Sequence, residues 1–170
     1  MPSAYDIALV RVDNRLIHGQ ILEAWVPYVQ AQCLIVVNDK VAGDFYYDTV
    51  MRIAVPSEIE LIISPVEEFV NQYQFIQQGG KKTIVLFSTL ADAAKAYNLG
   101  FKFDKLNIGN VYNDEYKICC APSVFLCDSD IRDILQLLEE KKVAVEIKGL
   151  PRDRAVSIAD VIGEYCGIKP

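Results

Sequence analysis

Histidine is nearly absent from this 170-residue chain, and His18 is the only one. Any chemistry that needs an imidazole must therefore happen at one place. Imidazole is also the side chain that changes charge near neutral pH without help. Long hydrophobic runs are missing too. No apolar stretch approaches the roughly 20 residues that span a bilayer, and the N-terminus shows no basic region followed by an apolar run, so neither an anchor nor a secretory signal is expected. That predicts a cytoplasmic protein, with peripheral attachment at the inner face of the membrane left open. Basic charge is scarce: 17 Lys and Arg against 23 Asp and Glu give a formal net charge of −6. Phosphate backbones are held by clustered Lys and Arg, so nucleic acid is excluded as a partner. The five cysteines form no C-x-x-C pair. Cys119 and Cys120 are adjacent, which suits neither a zinc clamp nor a mutual disulfide, so no metal is expected and the thiols read as reduced. Cys33 reads as a small core residue.

What is present is an ordinary globular balance, 52% hydrophobic and 24% charged, in a length that fits one domain spanning 1–170. Short apolar runs predict strands over Ile7–Val12, Cys33–Val37, Ile59–Ile63, Thr83–Phe87, Leu106–Ile108 and Val143–Ile147. Between them, 3.6-residue periodicity predicts helices over Ile17–Tyr28, Val41–Val55, Val66–Gln77, Leu90–Tyr97 and Asp130–Lys141, with Asp128 or Ser129 capping the last of these. A final helix is expected from Ile158 toward Tyr165. Strand and helix alternating in this way predict an α/β fold: a single domain with a mostly parallel central sheet and helices on both faces. Tyr116–Cys119 and Val124–Leu126 break the rhythm and read as added strands of unassigned orientation.

In open parallel sheets, ligands sit beyond the carboxyl ends of the strands. The loop after the first strand reads Val10-Arg11-Val12-Asp13-Asn14-Arg15-Leu16-Ile17-His18-Gly19-Gln20. It places a nucleophilic imidazole at an expected helix start, where unpaired N–H groups and the helix dipole favour an anion. Arg11 and Arg15 are placed to contact phosphate oxygens or to be solvated charges. Asp13 is placed to accept the N–H of the unreactive imidazole nitrogen, or to be an ordinary turn residue. Gly19 permits either close packing or close approach of a ligand.

This loop resembles the active-site loop of the IIB component of the mannose/fructose/sorbose family of the bacterial phosphoenolpyruvate-dependent sugar phosphotransferase system. That family's pattern is close to R-[IV]-D-D-R-[LF]-I-H-G-Q followed by a Trp, here Trp25. The likeness continues through Val36-Val37-Asn38-Asp39, Ala54-Val55-Pro56, Leu106-Asn107-Ile108-Gly109 and Ser123, and so over most of the chain. The resemblance implies a phosphocarrier. His18 would accept a phosphoryl group through Nδ1 from a histidine of a IIA component and pass it to a sugar delivered by membrane components IIC and IID. It implies no metal or cofactor, and it maps Arg11 and Arg15 onto loop arginines available to the phosphate. Two positions depart from the pattern: Asn14 stands where the family has a second Asp, and Asn110 stands where it has a second Gly. Asn14 removes a negative charge beside the acceptor, which weakens repulsion of phosphate or else takes away a group that orients the histidine or contacts the partner. Two other readings stand beside this one. The first is a regulatory module that takes phosphate on His18 without phosphorylating a transported sugar. The second is a nucleotide-binding domain, disfavoured because the chain has no G-x-G-x-x-G or Walker glycine loop. The sugar and the oligomeric state, including any homo-oligomer, are not set by the sequence.

Overall fold

The computed structural model describes residues 5–73 and 80–165. Seven strands make one sheet: β1 (Tyr5–Asp13), β2 (Cys33–Val37), β3 (Glu60–Ser64), β4 (Lys81–Phe87), β5 (Lys105–Asn110), β8 (Ala144–Ile147) and β9 (Val156–Ser157). Their order is β3-β2-β4-β1-β5-β8-β9, and every neighbouring pair is parallel except β8 and β9. The expected α/β architecture is therefore present. The two unassigned stretches form a separate antiparallel hairpin, β6 (Ile118–Ala121) with β7 (Val124–Leu126).

The strands are apolar because both faces are covered. Along β2 and β4 the side chains alternate between two cores. Cys33, Ile35, Val37, Val85 and Phe87 pack against helices α4 (Val66–Tyr73), α5 (Leu90–Leu99), α6 (Asp128–Leu135, continuing as a π-helical turn over Gln136–Glu140) and α7 (Ile158–Tyr165). Leu34, Val36, Ile84 and Leu86 pack on the other face against α1 and α3 (Phe45–Ala54). Here α1 is a π-helical stretch, Gln20–Trp25, passing into α-helix Val26–Val29.

Three expected helices are redrawn. The helix expected over Val41–Val55 is two, α2 (Asp39–Ala42) and α3, because Asp44 accepts the amides of Tyr46 and Tyr47 and caps a new start. The α6 cap lies one residue early, at Cys127, whose amide donates to Asp130 Oδ2 at 3.0 Å. Over Ile17–Tyr28 the chain is π-helical rather than α-helical for six residues. Pro27 explains this: it has no N–H for the Glu23 carbonyl and its ring crowds that oxygen, so the turn before it widens. The helix expected over Val66–Gln77 is seen to Tyr73, and 74–77 lie outside the described residues.

Candidate functional site

β1 carries two charged residues into the sheet. Alternation puts Val10 and Val12 in one core and Arg11 and Asp13 on the α1 side, and both charged side chains are fully buried. Buried charges require partners. Arg11 Nη1 donates to Asn107 Oδ1 at 2.5 Å and to the Lys148 carbonyl at 2.8 Å. Its Nη2 donates to Asp13 Oδ2 at 3.1 Å and to the Gly149 carbonyl at 3.2 Å. Burial lowers the Arg11 pKa and the Asp13 carboxylate pulls it back. Arg11 is thus neither a solvated charge nor turned toward solvent; it lies beneath the loop.

Asp13 ends the strand and closes the next turn. The Arg15 amide donates to its Oδ1 at 3.1 Å, and the Leu16 amide donates to its backbone carbonyl at 3.0 Å. Its other oxygen, Oδ2, lies 2.8 Å from His18 Nε2. The two readings of Asp13, turn residue and imidazole partner, therefore coexist on its two oxygens. Burial alone would push this carboxyl up. The hydrogen bond from His18, with the Arg11 charge, outweighs it and holds Asp13 below its ordinary value of 3.8.

A carboxylate on Nε2 assigns the proton to Nε2 and leaves the lone pair on Nδ1. Among the described residues nothing takes Nδ1, and the His18 side chain keeps 14% exposure. The helix begins three residues later than expected, at Gln20; the His18 carbonyl accepts the amides of Ile21 and Leu22. The amides of Gly19 and Gln20 precede those bonds at the positive end of the helix. Arg15 is 45% exposed, with Nη2 on Gln20 Oε1 at 3.0 Å. Asn14 is exposed, and its amide donates to the Asn110 carbonyl at 3.0 Å. The two departures from the family pattern therefore meet through backbone. Asn110 is not among the positive-φ residues, so losing a glycine there costs no conformational freedom that the turn uses. Gly19 has open space around its Cα and borders a groove of about 520 Å³ with Gln20, Tyr28 and Arg152; close packing is not its reason.

Three contributors escape a reading of the sequence. Leu16 holds a left-handed φ of 56° while buried, a strained position that turns the loop. Asn107 anchors Arg11, and the signal for it was a polar residue inside an apolar strand. Gly109 is the extra residue of a bulge where β5 pairs with β1, between Ile108 opposite Val12 and Asn110 opposite Asp13.

The depressed Asp13 carboxyl gives a pH dependence with a definite sign. Its stabilisation is complete above about pH 4, the unfolded value, and is lost as pH falls through the lower folded value. Asp13→Asn should remove that acid-sensitive part. Urea unfolding across the acid range checks this, and equal pH slopes for the two proteins would refute it.

No helix among the described residues is long and apolar enough to cross a membrane. A sequence model of the family described as "PTS system sorbose subfamily IIB component" matches residues 7–166. The sorbose-specific EIIB component of Klebsiella pneumoniae is 30% identical over 158 residues, covering 93% of this chain and 96% of that protein. The mannose-specific EIIAB component of Escherichia coli (strain K12) is 25% identical over 158 residues, 93% of this chain but 49% of that longer protein. The crystal structure of the IIBSor domain of the Klebsiella pneumoniae sorbose permease superposes with a TM-score of 0.81 at 29% identity, covering 94% of this chain and 97% of that one.

Proposed function

The chain belongs to the sorbose subfamily of phosphotransferase-system IIB components, and from that premise we propose that His18 is its phosphoacceptor. The Nδ1 lone pair attacks the phosphorus of a IIA phosphohistidine. A new P–N bond forms as the old one breaks, and its electron pair returns to the donor imidazole. The phosphoryl group then passes to a sugar held by IIC and IID on the cytoplasmic side of the membrane. The observation that carries this reading is the buried Asp13 carboxylate on Nε2, which fixes the tautomer with Nδ1 free and balances the positive charge the ring gains on attack. The fused EIIAB relative, which joins A and B components in one chain by name, supports a IIA donor. The test uses labelled phospho-IIA: the label should move to this chain and, with IIC/IID vesicles, on to a sugar. Label that stops on the protein would favour the regulatory reading.

Arg15 is the cation available to the transferred group, since Arg11 has both terminal nitrogens committed to protein acceptors. Arg15→Ala should slow transfer by about 1.5–3 kcal/mol, on the order of ten- to a hundredfold. Stability should hardly change, because the side chain is half exposed. Stopped-flow transfer and urea unfolding measured together check both halves; an unchanged rate rejects the role.

A further inference from the structure

The buried charge pair beneath His18 has its own support, and one member of it lies on a different element. Trp25, on α1, is 3% exposed and donates its indole N–H to the Gly149 carbonyl at 2.9 Å. That carbonyl also accepts Arg11 Nη2. The indole ring lies over the guanidinium, 5.2 Å from Cζ to centroid. Gly109 closes in on the same group so tightly that a Cβ there would meet Nη2 at 1.8 Å.

We infer that Trp25 is a positioning residue for the phosphoacceptor: through the Gly149 carbonyl it fixes the Arg11 guanidinium, and through Arg11 and Asp13 it fixes the His18 imidazole. The logic is one of shared acceptors. Nη2 divides its hydrogen bonding between Gly149 and Asp13 Oδ2, and Oδ2 divides its own between Arg11 and His18. Taking the indole N–H off Gly149 makes that carbonyl a stronger acceptor for Nη2. The guanidinium then shifts away from Asp13, and the carboxylate loses the anchor that holds it against Nε2. The π-helical register of α1 matters here, because it sets where Trp25 falls around the helix. The inference rests on His18 being the acceptor, and its first readout is independent of transfer.

Trp25→Phe keeps an aromatic ring in the core but removes the N–H along with part of the indole's volume; Trp25→Leu removes the aromatic ring as well. The His18 Nε2–H proton, held by a buried carboxylate, should be protected from solvent exchange in the wild type. Exchange should speed up about fivefold in the Phe variant, the worth of one ordinary hydrogen bond, and further in the Leu variant. Phosphoryl transfer should slow in the same order. A packing role alone predicts lower stability for Phe with exchange and transfer at wild-type levels, and that result overturns the inference. If the Leu variant does not fold, the Phe variant decides. If the wild type takes no phosphate from any IIA donor, the reading of function falls while Nε2–H exchange still decides the role of Trp25.

Discussion

His18→Gln should abolish phosphoryl acceptance and leave the fold in place. Glutamine is the informative replacement because its amide N–H can stand where Nε2–H stands, so the buried Asp13 carboxylate keeps a donor. It has no lone-pair nitrogen at the Nδ1 position. With one histidine in the chain, no second imidazole can substitute. Wild-type protein incubated with phosphorylated IIA should hold an acid-labile, base-stable label, and the Gln variant should show background only. His18→Ala should lose the label too, but with a stability cost, since Asp13 Oδ2 is then left with Arg11 alone. Label retained in His18→Gln would place the acceptor elsewhere and end the proposed mechanism.

Gly109→Ala should be strongly damaging for a change of one methyl group. The added Cβ would lie 1.8 Å from Arg11 Nη2 and 2.0 Å from Cζ. A surface arginine would swing aside at little cost. This one is fully buried, with four hydrogen bonds that a shift would break. Overpacking and disruption of a buried ion pair together put the loss at roughly 3 kcal/mol. Transfer should fall as well, because Asp13 moves with its partner. A double-mutant cycle isolates the cause: in an Arg11→Met background, which has no guanidinium to strike, the same Gly109→Ala change should cost under about 1 kcal/mol. Equal costs in the two backgrounds would show that the clash is not with Arg11.

The frame of the molecule was legible because its strands are apolar runs closed by breakers, and β2 matches its sequence-drawn limits residue for residue. β4 starts two residues earlier than expected because Lys81 and Lys82 pair through backbone, which leaves no hydrophobic trace. β9 was missed: two residues after a turn give no periodicity. In the site, the loop residues were picked out but the burial of Arg11 was not legible, because three of its four acceptors lie 96 to 138 positions away in sequence. The loop's turn was half visible, since Asp13 is a turn former, while the left-handed Leu16 has no signature in residue type.

The strand order has a consequence for the growing chain. β1 and β2 are neighbours in sequence but not in the sheet, because β4 fills the slot between them. Tyr5 waits for Lys81, and Val12 for Phe87. As the polypeptide leaves the ribosome, β2 and β3 have each other by residue 64, while the strand that bears the His18 loop stays without its full β4 ladder until residue 87 has emerged. Its buried arginine waits longer still, for Asn107 and then Lys148 and Gly149. Such non-local closure is slow and is completed late. The network around His18 is therefore complete only once residue 149 has emerged, with just β9 and α7 still to follow, and a nascent or truncated chain carries the histidine without the partners that orient it.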